Sequence, residues 1–582
     1  MSHPTSFQAS RETTPLPDRA NQIRMWLANI IDAFRRPGGW RGPAVAAVFT
    51  LLAGLPGFLA LPPLDRDEAR FAQATAQMLE QDDYVVIRFQ DQPRFKKPVG
   101  IHWMQALAAS AFGDAALRDI RPYRLPSLLG AMLAAAACVW GAAGFFSRGV
   151  ALMSGLILGS GILLSTEAFI AKTDSMLTGL TVLCLAALAR LYAEARGGPP
   201  AGRLAVPLFW LALALAILIK GPITPLIVGL AALTLRLVDR RPLTSRPIGW
   251  AWGLILLALV IGPWAWAVTV ATDGAFWAAA IGGDLAPKLA GGHETHGAPP
   301  GFHALALPLL AFPATLLLPA AAVVAWRRRR EPGVRFALAW LVPGWILFEA
   351  TPTKLPHYVL PLYAPLAWLC AAGLAEAVTP WLRRIGAGLQ LLAGGLLAAV
   401  ALGLALTYGD VWDLPAAILT AGLFALAAGG GALFLLRGRV FRALAWALPA
   451  GVLAHGALTG LLAPGLQPLM LSSRTTEVLA RARLLPAQGV LPGPVAIAGY
   501  AEPSLVFRVG TDTGLGDAAD AARALASGRA AVVEGREQSA FRAALARSGV
   551  TPIEVGRVSG LNYSNGDATE LTVYAPPPEV RP

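Results

Sequence analysis

The stretch LDRDEARFAQ (64–73) follows directly after the first long apolar segment of the chain, which spans about 43–61. Its charged residues are Asp65, Arg66, Asp67, Glu68 and Arg70. Ionisable side chains are rare and costly inside a bilayer, so a group of them marks the point where a chain leaves the hydrocarbon. The pattern predicts a transmembrane helix that ends near residue 61, followed by a polar loop that starts with an acidic pair.

The composition is that of a polytopic membrane protein. The chain has 582 residues, of which 55% are hydrophobic and only 14% are charged, whereas soluble domains carry about 25% charged residues. Apolar runs of roughly 18 residues or more, long enough to cross a bilayer, recur along the chain. These runs are continuous and lack the period-two alternation of barrel strands, which predicts helices.

Thirteen segments are predicted to cross the membrane, and short basic clusters between them orient the chain. The segments are roughly 43–61, 122–146, 150–166, 175–193, 204–219, 222–238, 248–270, 302–326, 336–350, 359–379, 386–408, 415–436 and 443–463. The basic clusters fall on every second loop, which assigns those loops and the N-terminus to the cytoplasm. The net charge of +13 therefore reflects topology and not nucleic-acid binding, because no basic stripe interleaved with aromatic residues occurs.

This topology divides the chain into three parts. A cytoplasmic tail (1–42) precedes a transmembrane domain (43–463) with a periplasmic catalytic loop (62–121). Residues 464–582 are predicted to form a soluble periplasmic α/β domain, because GPVAIAGY, AAVVEG and TPIEVGRV are typical of strands and NYSNGDATELTVY is typical of a hairpin around Asn565-Gly566. The expected fold is an α-helical polytopic membrane protein with a small C-terminal α/β domain.

The outward-facing loops hold most of the unusual polar residues. The pair Asp67-Glu68 opens an amphipathic helix, ARFAQATAQML, that is predicted to lie along the membrane surface. The pair either acts chemically or stabilises the first turn of that helix against the helix dipole. The other candidates are Arg70, Lys96, Lys97, Asp174, Lys220, Asp284, His293, His296, Lys354 and Tyr358. A polar site at membrane level is a functional hypothesis by default.

The lysines and histidines each have an ordinary alternative role. Lys96 and Lys97 precede a proline and an apolar run, where lysines either bind phosphate or extend toward the lipid headgroups. Lys220 ends an apolar segment, and a lysine there also satisfies the last carbonyls of a helix. Metal binding by His293 and His296 is left open, because two loop histidines three residues apart are a weak signal.

Together on one face, an acid, several lysines and a tyrosine predict transfer of a group from a lipid phosphate. The lysines would stabilise the departing phosphate, whose negative charge develops in the transition state. The carboxylate would act as a general base on the acceptor or position it.

In this order, the motifs resemble those of the bacterial aminoarabinose transferase (ArnT) family and the wider protein-mannosyltransferase-like superfamily of integral-membrane (GT-C) glycosyltransferases. The resemblance covers about 45–370 by motif and the whole chain by architecture. It implies a catalytic group of Asp67, Glu68 and Asp174. It implies donor-phosphate binding by Arg70, Lys96, Lys97, Lys220, Lys354 and Tyr358, and a loop for the sugar or acceptor with Asp284, His293 and His296.

The family resemblance implies an inverting glycosyltransferase of the bacterial inner (plasma) membrane, with its active site facing the periplasm. The implied donor is a polyprenyl-phosphate-linked sugar, and the acceptor is lipid A, another envelope glycan or a protein. Lys96 stands where that family has a glutamate, so a cation there suits an acidic sugar or an extra phosphate. No cofactor is implied with certainty, and a divalent metal is left open.

Two other functions are left open by the sequence. A flippase or transporter of lipid-linked sugars would need polar groups through the membrane depth and on both faces, whereas the candidates lie on one face. A polymerase or ligase of envelope polysaccharide would share periplasmic basic residues, but not the order of an acid followed by a lysine.

Overall fold

The structure is a computed structural model, and it describes residues 40–113, 118–287, 297–376, 378–488 and 493–577. Most of these residues are helical. The predicted cytoplasmic tail falls outside the described residues up to position 39, and the first described helix begins at Arg41.

Helices occupy all thirteen predicted membrane segments. Their bounds are Arg41–Ala60, Ile120–Ala142, Arg148–Ser160, Ile162–Glu167, Thr173–Glu194, Ala205–Lys220, Ile223–Asp239, Trp250–Ala271, Phe302–Leu310, Leu318–Arg327, Pro332–Ala350, Tyr363–Ala372, Pro380–Tyr408, Leu414–Leu436 and Val440–Ala457. Within the described residues, nine helical stretches are long and apolar enough to cross a membrane, or ten if one bent pair is counted. The protein is therefore a multi-span membrane protein, while the count of thirteen crossings stays a prediction.

The predicted single span at 302–326 is wrong in shape. Phe302–Leu310 and Thr315–Arg327 are separate helical pieces, and their axes are bent by 119°. Pro313 lies in the break, where it lacks the amide proton that a continuous helix would need. The second piece restarts where the amide of Leu316 donates to Oε1 of Gln390 at 3.2 Å.

Two closely packed helices form the centre of the membrane domain, Ile120–Ala142 and Thr173–Glu194. A Cβ atom added at Gly130 would lie 2.4 Å from the Cα atom of Met176. Small residues allow membrane helices to approach in this way. In the apolar stretch of Thr173–Glu194, 89% of the residues are buried. Asp174, in the first turn of this helix, therefore lies at the end of a closely packed and largely buried helix.

Two short helices lie in the predicted catalytic loop, between the first helix, Arg41–Ala60, and the central helix Ile120–Ala142. They are the acidic helix, Asp67–Gln81, and the helix Gly100–Phe112. Between them, strands β1 (Arg88–Phe89) and β2 (Gln92–Pro93) form a small antiparallel ribbon. This ribbon turns the chain back, so that residues 94–97 return to the start of the acidic helix.

The C-terminal domain contains a five-stranded mixed sheet, which confirms the predicted small α/β domain. Its strands are β3 (Ala496–Ala498), β4 (Gly514–Gly516), β5 (Ala531–Glu534), β6 (Ile553–Asn562) and β7 (Asp567–Ala575), in the order β4-β3-β5-β7-β6. Its helices are Leu471–Arg481, Pro503–Val509, Ala518–Ala526 and Gln538–Ser548. Strands β6 and β7 pair as an antiparallel hairpin whose turn contains Asn565 and Gly566, as the sequence predicts.

Candidate active site

Asp67 is the first residue of the acidic helix, and its carboxylate lines an open polar cavity. No hydrogen bond or ion pair within the described residues engages this carboxylate at close range. Burial would raise the pKa of Asp67, but the positive charges of Lys97, Lys172 and Arg94 outweigh burial and hold the pKa below its ordinary value. Asp67 is therefore an ionised carboxylate, free to accept a proton or a hydrogen bond from a bound molecule.

Glu68, the neighbouring acid, is engaged in the protein interior. Its two carboxylate oxygens form a bidentate pair with the guanidinium of Arg124, with both N–O distances at 2.8 Å. The same oxygens accept hydrogen bonds from the amides of Leu64 and Ala171, each at 2.8 Å. Glu68 is 1% exposed. These contacts tie the start of the acidic helix to the membrane helix Ile120–Ala142 and to the loop that carries Ala171. They favour a structural role for Glu68, and its catalytic role stays a prediction.

Two cations from the segment after β2 lie above the ring of Phe71. The guanidinium of Arg94 is 4.7 Å from the ring centroid, and the ammonium of Lys97 is 5.2 Å from it. Burial and the nearby charge of Lys220 lower the pKa of Lys97 to about 8, although Asp174 and Asp67 oppose this effect. Phe71 thus holds two cations next to the carboxylate that opens its own helix.

Arg94 is a site residue that the sequence analysis did not select. Its Nη1 atom is buried and has no hydrogen-bond partner within the described residues. Burial lowers the pKa of Arg94 to about 10, against the opposing effect of Asp67. A buried guanidinium nitrogen without a partner costs free energy unless a ligand or water bonds to it. The sequence signal that could have identified Arg94 is its position immediately before the Phe95-Lys96-Lys97-Pro98 motif.

A cluster of paired charges lies next to the cavity. We call it the inner ion-pair cluster, and its members are Glu167, Lys172, Asp174, Lys220 and His357. The ammonium of Lys220 pairs with Oδ1 of Asp174, and the ammonium of Lys172 lies 2.9 Å from Glu167 and 3.8 Å from Asp174. The imidazole of His357 lies 3.8 Å from Asp174. Asp174 and Lys220 were predicted, whereas Glu167, Lys172 and His357 were not selected, because their partners are distant in sequence.

Two adjoining cavities meet at this cluster. The polar cavity has an empty volume of about 1800 Å³, and its charged lining includes Asp67, Arg66, Arg70, Arg94 and Lys172. The apolar cavity has an empty volume of about 1310 Å³, and its lining includes Leu177, Ile223, Leu226, Phe276, Trp277 and Phe348. Six residues line both cavities, namely Lys96, Lys97, Lys220, Asp284, His357 and Tyr358. The pair of cavities fits a molecule with an apolar tail and an anionic head, whose junction would lie beside these six residues.

Tyr358 and Asp284 complete the shared wall between the cavities. The ring of Tyr358 lies 5.3 Å from the ammonium of Lys220. With these two, nine of the predicted site residues line one cavity or the other, the others being Asp67, Glu68, Arg70, Lys96, Lys97, Asp174 and Lys220.

Of the other three predicted residues, only Lys354 is among the described residues, and it lines neither cavity. The ammonium of Lys354 is buried and donates to the carbonyls of Ala298, at 2.9 Å, and Thr351, at 2.7 Å. This lysine therefore joins two loop segments and does not face the predicted donor site. His293 and His296 lie outside the described residues. Within the described part of the chain, no group of three or more His, Cys, Asp or Glu residues is placed to hold a metal ion.

The chain is similar in sequence to known membrane glycosyltransferases. Residues 96–266 match the family described as dolichyl-phosphate-mannose-protein mannosyltransferase. The undecaprenyl phosphate-alpha-4-amino-4-deoxy-L-arabinose arabinosyl transferase of Pseudomonas paraeruginosa is 29% identical over 430 residues, which cover 72% of this chain and 74% of that relative. The protein of the same name from Pseudomonas aeruginosa (strain UCBPP-PA14) is 31% identical over 345 residues, 58% of this chain and 59% of the relative.

The fold is similar to that of two solved structures of ArnT from Cupriavidus metallidurans. The apo structure matches with a TM-score of 0.71 and the structure bound to undecaprenyl phosphate with 0.70, each at 19% identity over 96% of this chain and 99% of the other. At this identity the match defines the fold. The chain therefore has an ArnT-like fold, and its sequence is similar to that of ArnT relatives, which confirms the resemblance seen in its motifs.

Proposed function

We propose that this chain is an inverting glycosyltransferase that moves a sugar from a polyprenyl-phosphate donor to lipid A or another envelope acceptor at the periplasmic face of the inner membrane. One observation carries the proposal. The ionised Asp67 faces the same polar cavity as Lys97, and that cavity adjoins an apolar cavity through a shared cationic wall. The sequence relatives and the ArnT-like fold support the same activity.

The proposed donor lies across both cavities. Its polyprenyl chain would occupy the apolar cavity, beside side chains such as Phe276 and Trp277. Its phosphate would lie at the shared wall, where Lys97, Lys220 and Tyr358 supply two ammonium groups and a phenol. Its sugar would then lie in the polar cavity. Cations fixed beside a departing phosphate stabilise the negative charge that develops on it as the glycosidic bond breaks.

The proposed reaction needs one carboxylate on the acceptor side. The bond between the sugar C1 and the phosphate oxygen breaks, and the phosphate retains the electron pair. An acceptor oxygen attacks C1 from the opposite face, which inverts the anomeric centre. Asp67 takes the proton from an acceptor hydroxyl, or positions the acceptor by accepting a hydrogen bond from it. Its lowered pKa keeps it in the ionised form that both tasks require.

The charge of the polar cavity supports an anionic acceptor or an acidic sugar. Arg94, Lys96 and Arg70 line this cavity in addition to the lysines assigned to the donor phosphate. One phosphate does not match this number of cations, and the buried Nη1 of Arg94 has no partner within the described residues. Lipid A phosphates or a carboxylate on the transferred sugar would supply the second anion.

The test is mass spectrometry of envelope lipids from cells that carry the wild type or Asp67→Asn. We expect the variant to accumulate one polyprenyl-phosphate-linked sugar, while the matching sugar disappears from lipid A or another extracted glycan. Those two changes would name both substrates. The control is Asp82→Asn, which makes the same change beyond the other end of the acidic helix, at a residue that lines neither cavity. If neither pool changes in Asp67→Asn at normal expression, the proposal is wrong.

A further inference from the structure

The residue immediately before the proposed catalytic carboxylate has a backbone conformation that side chains disfavour. Arg66 has φ 64° and ψ −112°, although it is not a glycine. Such a conformation persists only where surrounding contacts hold it, and it is common at functional sites. The contacts that hold Arg66 therefore determine where the first turn of the acidic helix begins, and with it the direction of Asp67.

The C-terminal domain supplies these contacts, from residues more than four hundred positions away. The amide of Asp65 donates to the hydroxyl of Tyr563 at 2.7 Å. The amide of Ser504 donates to the carboxylate of Asp65 at 3.2 Å, and the guanidinium of Arg66 donates to the carbonyl of Ser564. Both residues before Asp67 are thus bonded to the C-terminal domain.

The segment of the C-terminal domain that makes these contacts is itself held by hydrogen bonds. Tyr563 and Ser564 lie in the turn of the β6–β7 hairpin. Glu502 fixes this turn, because its carboxylate accepts hydrogen bonds from the amide group of Asn562, at 2.9 Å, and from the hydroxyl of Ser564, at 3.1 Å. The turn therefore presents the hydroxyl of Tyr563 in a defined position.

The same domain also contacts the middle of the acidic helix. The side chain of Gln73 donates to the hydroxyl of Thr511 at 2.7 Å. Arg118, from the loop before the next span, donates to the carbonyl of Phe507 at 3.0 Å, and the ring of Phe507 packs edge-on against Tyr123 at 5.4 Å. The whole helix is thus held between the membrane domain and the C-terminal domain.

We propose that the β6–β7 turn of the C-terminal domain positions the catalytic carboxylate, with Tyr563 as a positioning residue that holds the Asp65–Arg66 turn. The inference rests on the proposed function of Asp67 as the catalytic carboxylate. Tyr563 reaches the reacting atoms only through the backbone of the turn. A displacement of about 1 Å in a catalytic group is enough to lower a rate up to 100-fold, so loss of one contact to this turn has a measurable effect.

The test compares Tyr563→Phe with Tyr574→Phe in the purified full-length protein. Tyr563→Phe removes the hydroxyl that accepts from Asp65. Tyr574→Phe removes a hydroxyl of the same domain that donates to Gln538 at 2.8 Å, away from the acidic helix. We expect kcat for sugar transfer to fall about tenfold in Tyr563→Phe. The KM for the polyprenyl-phosphate sugar stays the same, because Lys97 and Lys220 lie on other segments. Tyr574→Phe retains the wild-type kcat.

A second pair of variants separates positioning from a loss of folding. Asp65→Asn keeps an oxygen that accepts from the Ser504 amide, whereas Asp65→Ala does not. Positioning predicts that Asp65→Asn retains more of the wild-type kcat than Asp65→Ala, at equal thermal unfolding temperatures. The proposal is overturned if the wild type transfers sugar, Asp67→Asn does not, and Tyr563→Phe matches Tyr574→Phe in kcat. Absence of transfer by the wild type overturns the proposed function and this inference together.

Discussion

The two groups of cations near Asp67 differ in how their charge is compensated. Lys172 and Lys220, in the inner ion-pair cluster, are paired with the carboxylates of Glu167 and Asp174. Within the described residues, Lys97 and Nη1 of Arg94 have no such carboxylate partner, although both cations lie above Phe71. The cations of the inner cluster are thus compensated by carboxylates without a ligand, whereas those of the second group are not. The comparison therefore indicates that Arg94 and Lys97 need an anionic ligand to compensate their charge, whereas Lys220 would meet the donor phosphate while it is already paired with Asp174.

The largest expected effect comes from opening the inner cluster. Asp174→Ala removes the carboxylate that faces Lys220, Lys172 and His357. Breaking a buried ion pair by removing one partner costs about 3–5 kcal/mol. We expect a lower thermal unfolding temperature in detergent and no transfer activity.

A double variant provides the control for this effect. Asp174→Asn combined with Lys220→Met removes one negative and one positive charge, so it should unfold at a higher temperature than Asp174→Ala while remaining inactive. If Asp174→Ala unfolds at the wild-type temperature, the inner cluster does not stabilise the fold, and the comparison is wrong on this point.

Replacement of Lys97 should affect activity without affecting folding. Lys97→Met keeps the length of the side chain but removes the charge beside the donor phosphate. We expect kcat/KM for the donor to fall roughly 100-fold, since fixed charges that meet developing negative charge have effects of this size. Thermal unfolding should be unchanged, because this ammonium has no ion-pair partner to lose within the described residues. A fall in the unfolding temperature as large as that of Asp174→Ala would remove the distinction between the two groups.

The pH dependence of the reaction gives a smaller, continuous test. Lys97 has a pKa of about 8, so it is charged below that pH and loses its proton as the pH rises through it. We expect kcat/KM to fall above about pH 8, because this parameter reports the free enzyme. In Lys97→Arg, the fall should move to a higher pH, since arginine stays protonated. An unchanged alkaline limb in Lys97→Arg would assign the titration to another group.

Site residues could be predicted from the sequence only where the local motif and the hydropathy pattern determine where a residue lies in the fold. The apolar segments and the order of the motifs selected Asp67, Lys97, Asp174 and Lys220, and the fold places all four in the lining of the two adjoining cavities. The sequence did not separate Asp67 from Glu68, because adjacent helical residues point about 100° apart and only the fold shows which one faces Arg124. The same limit applies to Lys354, whose ammonium meets carbonyls from another loop.

The bent helix and the domain contact show the same limit at a larger scale. A hydropathy pattern gives the length of an apolar segment but not its path, so the bend of 119° near Pro313 was not foreseen. The bond between Asp65 and Tyr563 joins residues 498 positions apart. Nothing in either local sequence encodes such a partner.

Separate measurements of donor binding and sugar transfer by purified Asp67→Asn test the central claim most directly. Polyprenyl phosphate binding would be titrated in lipid nanodiscs, and transfer from a polyprenyl-phosphate-linked sugar would be followed with the acceptor identified in the envelope lipids. The account predicts wild-type affinity for polyprenyl phosphate with transfer reduced at least 100-fold, because the phosphate site lies on Lys97 and Lys220 while Asp67 acts on the acceptor. Wild-type transfer by this variant would contradict the account.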